Sequence, residues 1–432
     1  MKTRDGLALA SAVAAIALLG APAAAQGPTV EVLAEGLNAP RGLLVAPDGS
    51  VWVAEAGAAG ETCMETPRGE ACFGPSGAVA KIADGSVERV IEGLTSAGAG
   101  PEVGGISDIA LAEDGSLYLL MNLGDDPAVR AQMPPDFATA GWLMKSAADG
   151  TTEPFADIAA FESSDNPEPA AVDSNPYSVA VTDGGFVIAD AGGNDLLMVD
   201  ESGAVSLIAT FPPFEAMFPA EMLAAMGPPP EGEGGPPAEA SESSAPEDAE
   251  AMESAAPAEA EAPAEAEAPA EAEVPADAAS GAPAAGEMVP LPVEWVPTSV
   301  VVGPDGAYYV GQLTGGPFPI GGASVLRVDP ATGETSTYAT GFTNIIDIAF
   351  GPDGTLYVAE IVHDGLMGVF TAGAAPIGAL LSVPPGGGEP TILINDESFM
   401  APGGLAVDSD GNLYASLNTL VPGAGSVVKI TP

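Results

Sequence analysis

A short pattern of apolar and turn-forming residues recurs along the chain. An apolar run such as IIDIAF (345–350) is followed by Asp-Gly and then by a β-branched and aromatic run such as TLYV (355–358). Glycine after aspartate provides the positive φ that a tight hairpin requires, and β-branched and aromatic residues favour strands. Each copy of the pattern is therefore predicted to form two antiparallel strands joined by a tight turn.

Six copies of this hairpin pattern occur in the chain, with Asp-Gly pairs beginning at residues 48, 114, 183, 305, 353 and 410. In most copies a basic residue follows in a third strand-like segment, as in AVAKIADG (78–85) and SVVKITP (426–432). An antiparallel sheet of this size cannot bury its faces alone, whereas six sheets packed around an axis bury one another. The sequence therefore predicts an all-β fold, a six-bladed β-propeller.

The two ends of the repeat array predict how the ring closes. The last copy ends at its third strand, Ser426–Ile430, and an unattached strand-like segment, Thr29–Ala34, precedes the first copy. Pairing these segments would complete a fourth strand in the last blade and leave no open sheet edge. We expect this terminal strand closure within a single propeller domain spanning residues 26–432.

Residues 214–290 differ in composition from the repeats and lengthen the interval between Asp183 and Asp305. The segment is rich in Pro, Ala and Glu and contains APAEAEAPAEAEAPAEAEVPAD. It has too little apolar surface to offset the entropy of ordering, proline interrupts helices, and like charges extend the chain. We predict a long disordered insertion after the third copy. Apolar clusters in Phe211–Met226 predict a short helix against a blade.

Two motifs point to known propellers. Asp-Gly followed by [LV]-[YW]-V-A-[DE], as in DGTLYVAE (353–360), resembles NHL-type repeats. The opening VEVLAEGLNAPRGLLVAPDGSVWVAEAG (30–57) more closely resembles the ScyD/ScyE family of exported propellers. The likeness covers residues 29–213 and 291–432. Because members of that family are mostly of undefined activity, the resemblance implies a fold and an exported protein rather than a reaction.

The N-terminus predicts export. Lys2 and Arg4 precede the apolar run Leu7–Gly20, and Ala23-Ala24-Ala25 precedes Gln26. This order is typical of a secretory signal peptide, here residues 1–25, and the apolar run is too short to span a bilayer comfortably. We expect a periplasmic or extracellular protein with no membrane contact after cleavage.

The two cysteines predict a disulfide. Cys63 and Cys72 close a ten-residue loop, CMETPRGEAC, that contains Gly and Pro. In an oxidising compartment such a pair is read as a bridge. A metal site is disfavoured, because neither a His nor a third Cys stands nearby in the sequence.

The charge excludes some partners and favours others. With 61 acidic and 10 basic residues the formal net charge is −51. Nucleic acids would be repelled, and anionic membrane surfaces would be equally poor partners. Divalent cations and cationic ligands are favoured.

Aligning the six copies gives two sets of candidate metal ligands. Glu55, Asp190 and Glu360 end the second strands, whereas Asp108 and Asp347 lie near the start of the first strands of copies 2 and 5. Copies 2 and 5 face each other across a six-fold ring. Oxygen ligands that converge on one mouth suit Ca²⁺ or another divalent cation. For the strand-end carboxylates, an alternative is a structural role in which they bond backbone amides of the next turn.

Three functions remain open. The first is a non-catalytic binding or scaffold protein, a monomer that takes a protein, peptide or small ligand on the propeller face. The second is a divalent-metal-dependent hydrolase similar to the gluconolactonase and senescence-marker type of propeller. The third, a quinoprotein sugar dehydrogenase, is disfavoured because an acidic quinone needs several basic residues. No catalytic residue is assigned, since the single histidine, His363, has no Ser or Cys nucleophile context. We expect an aromatic set on the second strands to pack between blades: Trp52, Tyr118, Tyr309, Tyr357 and Tyr414.

Overall fold

A computed structural model describes residues 27–66, 69–99, 102–147, 149–166, 172–226 and 287–432. Within these ranges, six antiparallel sheets of at least four strands form the blades of a β-propeller. The predicted fold class and blade number are therefore confirmed. The predicted signal peptide, 1–25, lies outside the described residues, as do residues 227–286 of the predicted insertion.

Each blade begins with an inner strand, and the inner strands of successive blades contact one another around a closed ring. The first described strand, β1 (Thr29–Leu37), belongs to blade 6; blade 1 contains β2 (Pro40–Val45), β3 (Val51–Glu55), β4 (Thr62–Thr66), β5 (Gly69–Ala83), β6 (Ser86–Ala99) and β7 (Glu102–Gly104), and blade 2 contains β8 (Ile106–Leu111), β9 (Leu117–Met121), β10 (Trp142–Ser146) and β11 (Thr152–Asp157).

Blade 3 contains β12 (Pro176–Thr182), β13 (Gly185–Asp190), β14 (Asp195–Asp200) and β15 (Val205–Thr210); a separate hairpin contains β16 (Phe214–Pro219) and β17 (Met288–Val293); and blade 4 contains β18 (Pro297–Val302), β19 (Tyr308–Gln312), β20 (Ala323–Val328) and β21 (Thr335–Phe342).

Blade 5 contains β22 (Ile345–Phe350), β23 (Leu356–Glu360), β24 (Ala379–Val383) and β25 (Thr391–Ile394), and blade 6 contains β26 (Gly404–Val407), β27 (Leu413–Leu417) and β28 (Gly425–Thr431) together with β1.

In the part of the chain that the structure describes, three short α-helices lie in loops between these strands: α1 (Ile158–Asp165), α2 (Ala220–Met226) and α3 (Leu366–Ala372). Two 3-10 helices, Pro127–Gln132 and Pro135–Phe137, occupy the loop between β9 and β10. Within the described residues, no helix is long and apolar enough to span a bilayer.

The ring closes through its two ends, as predicted. β1 pairs antiparallel with β28, with Val30 opposite Ile430 and Thr29 opposite Thr431. β28 in turn pairs with β27, so that blade 6 takes its outermost strand from the start of the chain. This pairing covers a sheet edge that would otherwise be open to other chains.

Five Asp-Gly pairs form the predicted tight turns with a positive φ at the glycine, whereas in blade 3 Asp183 and Gly184 form the turn and the positive φ lies at Gly185. In blade 5, Gly354 has a φ of 84° and its N–H donates to the carbonyl of Gly351 over 2.9 Å. A carboxylate oxygen of Asp353 accepts the N–H of Thr355 over 3.0 Å. Glycine is favoured here because a side chain would be strained at this φ. We call the face of the ring that carries these turns the turn face, and the opposite face, with the loops after the second strands, the mouth face.

The hydrophobic core lies between blades. Tyr118 of blade 2 packs against Phe186 of blade 3 with ring centroids 4.2 Å apart. Trp52, Tyr309, Tyr357 and Tyr414 likewise lie in or against clusters that combine their own blade with the next one. The expected inter-blade packing of the aromatic set is therefore confirmed.

The two ends of the predicted insertion, residues 214–226 and 288–290, belong to strands β16 and β17 and to helix α2 in the structure, so the predicted bounds of the insertion, 214–290, were too wide. Phe214 lies opposite Val293 in the β16–β17 hairpin, and α2 follows β16. A short helix thus lies within the predicted range Phe211–Met226, but an earlier part of that range is a strand, and the helix contacts β16 of the hairpin. The prolines of this segment favoured a disordered chain in the sequence analysis, yet Pro290 and Pro292 lie within strand β17. A two-stranded hairpin tolerates proline because each strand keeps an edge that needs no hydrogen bond.

Candidate functional site

Asp108 lies on the inner strand of blade 2, where its carboxylate bonds two backbone amides. One oxygen accepts the N–H of Ile109 over 2.8 Å, and the other accepts the N–H of Val179 in blade 3 over 2.9 Å. Gly42 of blade 1 passes close to this carboxylate, since a Cβ built there would lie 2.0 Å from an Asp108 oxygen. A side chain at Gly42 would therefore displace Asp108.

Asp347 has the same arrangement in blade 5. Its oxygens accept the N–H of Ile348 over 2.8 Å and the N–H of Leu405 in blade 6 over 2.7 Å. Ser178, at the corresponding position of blade 3, accepts the N–H of Val300 in blade 4 over 3.2 Å. Side chains at this position thus link successive inner strands around the channel.

Burial affects the ionisation of both aspartates, and the charge of Asp108 also acts on Asp347. Burial raises the pKa of Asp108 to about 6. Burial, and then the charge of Asp108, raise the pKa of Asp347 well above its ordinary value. The pKa of Tyr177 is also raised by burial, and the charges of Arg41, Asp347 and Asp108 act on it. These four side chains therefore form one interacting group in the channel.

Glu55 and Asp190 are fully buried and bonded to groups of the fold. The Arg89 guanidinium donates two hydrogen bonds of 2.8 Å to Glu55, which also accepts the N–H of Asn38 over 2.7 Å. Asp190 accepts the Ser174 hydroxyl over 2.7 Å and three backbone N–H groups, those of Asn175, Gly192 and Gly193. Burial raises the pKa of Asp190 despite these donors.

Glu360 bonds the backbone of the preceding loop and the only histidine. One oxygen accepts the N–H of Thr343 over 2.7 Å, and the other contacts Nδ1 of His363. Burial raises the pKa of the Glu360 carboxyl, and the bonds from His363 and Thr343 oppose that rise. All three strand-end carboxylates thus bond backbone amides, as in the structural alternative, but only Asp190 bonds the turn that follows it, whereas Glu55 and Glu360 bond the loop that precedes the first strand of their blade.

The structure does not gather the five predicted ligands into one cluster. Among the described residues, the group whose ligand atoms all lie within 4.8 Å of one another is Cys63, Glu70 and Cys72. Cys63 and Cys72 are joined in a disulfide between the facing strands β4 and β5, which confirms the predicted bridge and removes the thiolates. Each carboxylate oxygen of Asp108 and Asp347 already accepts a backbone N–H. A cation between these two side chains stays a prediction.

A repeated ionic and aromatic contact was missed in the sequence, although the basic residue of the third strand was its signal. In blade 1, Lys81 lies 5.1 Å from the ring centroid of Trp52 and 3.3 Å from a carboxylate oxygen of Asp48. The strand register places the aromatic residue directly opposite the basic one. Cation–π attraction and the turn carboxylate together hold the lysine against the blade.

Three other blades also place a basic residue of the third strand opposite the aromatic residue, which we call the aromatic–basic pair. Blades 2 and 6 repeat the cation–π contact, and blade 4 repeats the ion pair with the turn aspartate. The pairs are Tyr118 with Lys145 in blade 2, Tyr309 with Arg327 in blade 4 and Tyr414 with Lys429 in blade 6. Blade 5 has Tyr357 opposite Ser382, and blade 3 has Val187 opposite Met198. Those two blades therefore lack the basic residue.

The mouth face carries exposed apolar side chains. Ile320, in the loop after β19, is 70% exposed, and Phe370 of α3 is 57% exposed. Phe318 connects them, since its ring lies 6.0 Å from that of Phe370. A Cβ built at Gly365, beside α3, would lie 3.0 Å from Ile320. These three side chains, Phe318, Ile320 and Phe370, form what we call the mouth patch.

No protein-family profile and no curated protein sequence matches the chain. Similar solved structures include a gluconolactonase from Xanthomonas campestris, with 9% identity and a TM-score of 0.48 over 93% of this chain and 88% of that chain. An aldose sugar dehydrogenase from Streptomyces coelicolor has 12% identity and a TM-score of 0.46, over 93% and 98%. A virginiamycin B lyase from Staphylococcus aureus has 12% identity and a TM-score of 0.42, over 94% and 99%. These similarities are too low to bear on activity.

Proposed function

We propose that the protein is an exported, non-catalytic binding propeller of the ScyD/ScyE kind, and that its partner docks on the mouth face. The mouth patch carries this proposal. Contiguous exposed apolar side chains are disfavoured on a soluble surface and are typical of interaction sites. The patch is formed by two loops that follow second strands, the position at which propellers commonly vary.

The location of the patch separates it from ordinary surface apolar residues. Val32 on β1 and Ile392 on β25 are also exposed, but they lie on outermost strands at the rim of the ring. Phe318 of the patch is partly buried and, with Leu313, packs against the hydrophobic core of blades 5 and 6. The patch is thus anchored on a rigid base, which lowers the entropic cost of binding.

The charge of the chain indicates the chemistry of the partner. A net charge of −51 attracts cationic partners over long distances and speeds their association. We therefore propose a peptide segment that combines apolar side chains for the patch with Lys or Arg around them.

A metal-dependent hydrolase is the second candidate, and the Glu360–His363 contact is the observation that favours it. A carboxylate on Nδ1 fixes the imidazole tautomer and leaves Nε2 for a ligand or a proton transfer. The proposal of a binding protein has more support, because Glu55 and Asp190 are bonded within the fold. Turnover of a sugar lactone that needs calcium and is lost in His363→Gln would favour the hydrolase.

A displayed library of random peptides tests the binding proposal. The wild-type protein is expected to enrich peptides with alternating basic and apolar residues. Ile320→Ser combined with Phe370→Ser should reduce their affinity at least tenfold, whereas the rim control, Val32→Ser with Ile392→Ser, should leave it unchanged. Equal loss in both variants, or peptides that bind all three proteins alike, would refute the mouth patch as the site.

A further inference from the structure

A cleft of about 930 Å³ opens on the turn face, opposite to the mouth patch. It lies over the Asp-Gly turn of blade 3 and reaches from Glu113 in blade 2 to Tyr308 in blade 4. Its volume lies in the range of small-molecule sites in proteins, roughly 300–1,000 Å³.

The cleft coincides with the blade that departs from the repeat. At the position where blade 1 has Trp52 opposite Lys81, blade 3 has Val187 opposite Met198. Val187 packs in the core between blades 3 and 4, and Met198 lines the cleft. A bulky ring and a long basic side chain are thus replaced by two smaller or neutral side chains.

The replacement also leaves the turn aspartate of blade 3 without the ion pair that its counterparts form in blades 1 and 4. In blades 1 and 4 the turn aspartate forms an ion pair with the basic residue of the third strand, Asp48 with Lys81 and Asp305 with Arg327. In blade 3 the turn aspartate is Asp183, which is exposed on the cleft wall. Among the described residues, Asp183 forms no ion pair within the chain.

The rest of the wall combines negative charge with apolar surface. Glu113, Asp114 and Glu201 line the cleft and are exposed, whereas Phe155 and Met198 contribute partly buried apolar surface. Lys145 lies 5.4 Å from the ring centroid of Tyr118 in its own blade. Bonds from Ser116, and to a smaller extent the charge of Lys145, lower the pKa of Asp114. The wall is therefore acidic at its rim and apolar below.

We propose that this cleft binds an organic cation, an amine or quaternary ammonium group on an apolar body. The cationic group would lie between Asp183 and Glu201, in the place that lysine or arginine takes in blades 1, 2, 4 and 6. The apolar body would pack on Met198 and Phe155. A ligand thus supplies, from outside, the cation that pairs with the turn aspartate in blades 1 and 4. This site lies on the face opposite to the mouth patch and is independent of the binding function proposed there.

Calorimetric titration of the mature full-length protein with phenylbutylamine tests the site, and phenylbutanol is the neutral control of similar shape. The amine is expected to bind and the alcohol to bind at least fivefold more weakly. Raising the salt concentration should weaken the binding of the amine but not that of the alcohol, because salt screens exposed charges. No binding of the amine at millimolar concentration, or equal binding of amine and alcohol, would overturn the proposal.

Two variants locate the binding. Asp183→Asn with Glu201→Gln should lower the affinity for the amine about fivefold, as expected for two exposed charge pairs. Met198→Lys restores the basic residue of the repeat and should compete with the amine for Asp183, with a similar loss. Asp353→Asn, the equivalent turn of blade 5 outside the cleft, is the matched control and should bind as wild type does. If the control loses as much affinity as the charge variant, the amine binds to surface acidity and the cleft is not the site.

Should Met198→Lys fail to fold, the charge variant alone decides, since both of its side chains are exposed. A basic peptide that competes with the amine for the wild-type cleft, and not for the charge variant, would identify a lysine or arginine side chain as the natural cation. Failure of a peptide to compete would favour a small amine. Neither result depends on the mouth patch.

Discussion

The backbone N–H of Leu405 donates to the carboxylate of Asp347 over 2.7 Å, across the boundary between blades 5 and 6. Asp108 repeats this bond with Val179 between blades 2 and 3. Hydroxyl groups add similar links, for example from Ser416 of blade 6 to the carbonyl of Arg41 in blade 1 over 2.7 Å. Polar side chains near the channel thus join blades whose remaining contacts are mostly apolar.

The channel aspartates should make stability depend on pH with a definite sign. A folded-state pKa of about 6 for Asp108, against an ordinary value of 3.8, means that the folded protein retains a proton which the unfolded chain releases. The favourable contribution is complete below about pH 4 and is lost as the pH rises towards 6. The loss for Asp108 is on the order of 3 kcal/mol.

Denaturant unfolding of wild type and of Asp108→Asn between pH 4 and 7 measures this contribution. We expect the wild type to lose stability relative to the variant as the pH rises, whatever the absolute stability of the variant. Asp353→Asn is the control, because bonds from Thr355 lower the pKa of that exposed turn aspartate. A difference between wild type and Asp108→Asn that stays constant with pH would contradict the raised pKa.

Calcium binding at Asp108 and Asp347 stays a prediction that a melting experiment can test. A cation between them would offset the repulsion that helps to raise the pKa of Asp347 and would stabilise the folded state by mass action. Calcium at constant ionic strength should raise the melting temperature of the wild type, and most of that increment should be lost in Asp108→Asn with Asp347→Asn. Equal increments in the two proteins would show that calcium acts on surface acidity instead.

The disulfide should stabilise its hairpin rather than the whole ring. Cys63 and Cys72 join β4 to β5 outside the four strands that pair as in the other blades. Phe73, next to Cys72, packs on Phe137 with centroids 5.2 Å apart, so the hairpin also contacts blade 2. Closing a ten-residue loop contributes about 2–3 kcal/mol.

Hydrogen exchange of the double variant Cys63→Ser with Cys72→Ser distinguishes stabilisation of the hairpin from stabilisation of the whole ring. Amides of β4 and the facing part of β5 should exchange faster, while amides of β13 in blade 3 should be unaffected. Intact mass should show the wild type two protons lighter than its reduced form. Faster exchange throughout the ring would contradict a local role.

Replacing residues 227–286 with a short Gly/Ser linker should leave the ring folded. The β16–β17 hairpin closes below the replaced segment, where Ala220 donates to the carbonyl of Glu287 over 2.8 Å. We expect a cooperative melt within a few degrees of the full-length protein. Phe211→Ala is the contrasting variant, because Phe211 is fully buried and stacks on Trp295 at 4.6 Å, and it should cost about 3–5 kcal/mol. A linker variant that melts without cooperativity would show that the replaced residues support the blades.

The local pattern determined the fold. Asp-Gly turns, aromatic second strands and a strand-like N-terminal segment predicted six blades and their closure, because hairpin formation depends on neighbouring residues and identical sheets pack in few ways. The disulfide was equally accessible, since Cys63 and Cys72 are close in sequence. The bounds of the insertion were set too wide, because the pairing of β16 with β17 joins residues about seventy positions apart and proline masked it.

Only the tertiary structure decided how the carboxylates are used. Alignment placed Glu55, Asp190 and Glu360 at equivalent strand ends, but whether they meet a cation or a backbone amide depends on loops up to 17 residues away and on neighbouring blades. Likewise the lysine of the third strand was visible in the sequence, while its contact with Trp52 required the strand register. A carboxylate on a repeat is chemically identical whether it is free or bonded, and the surrounding donors, brought from distant parts of the chain, determine which it is.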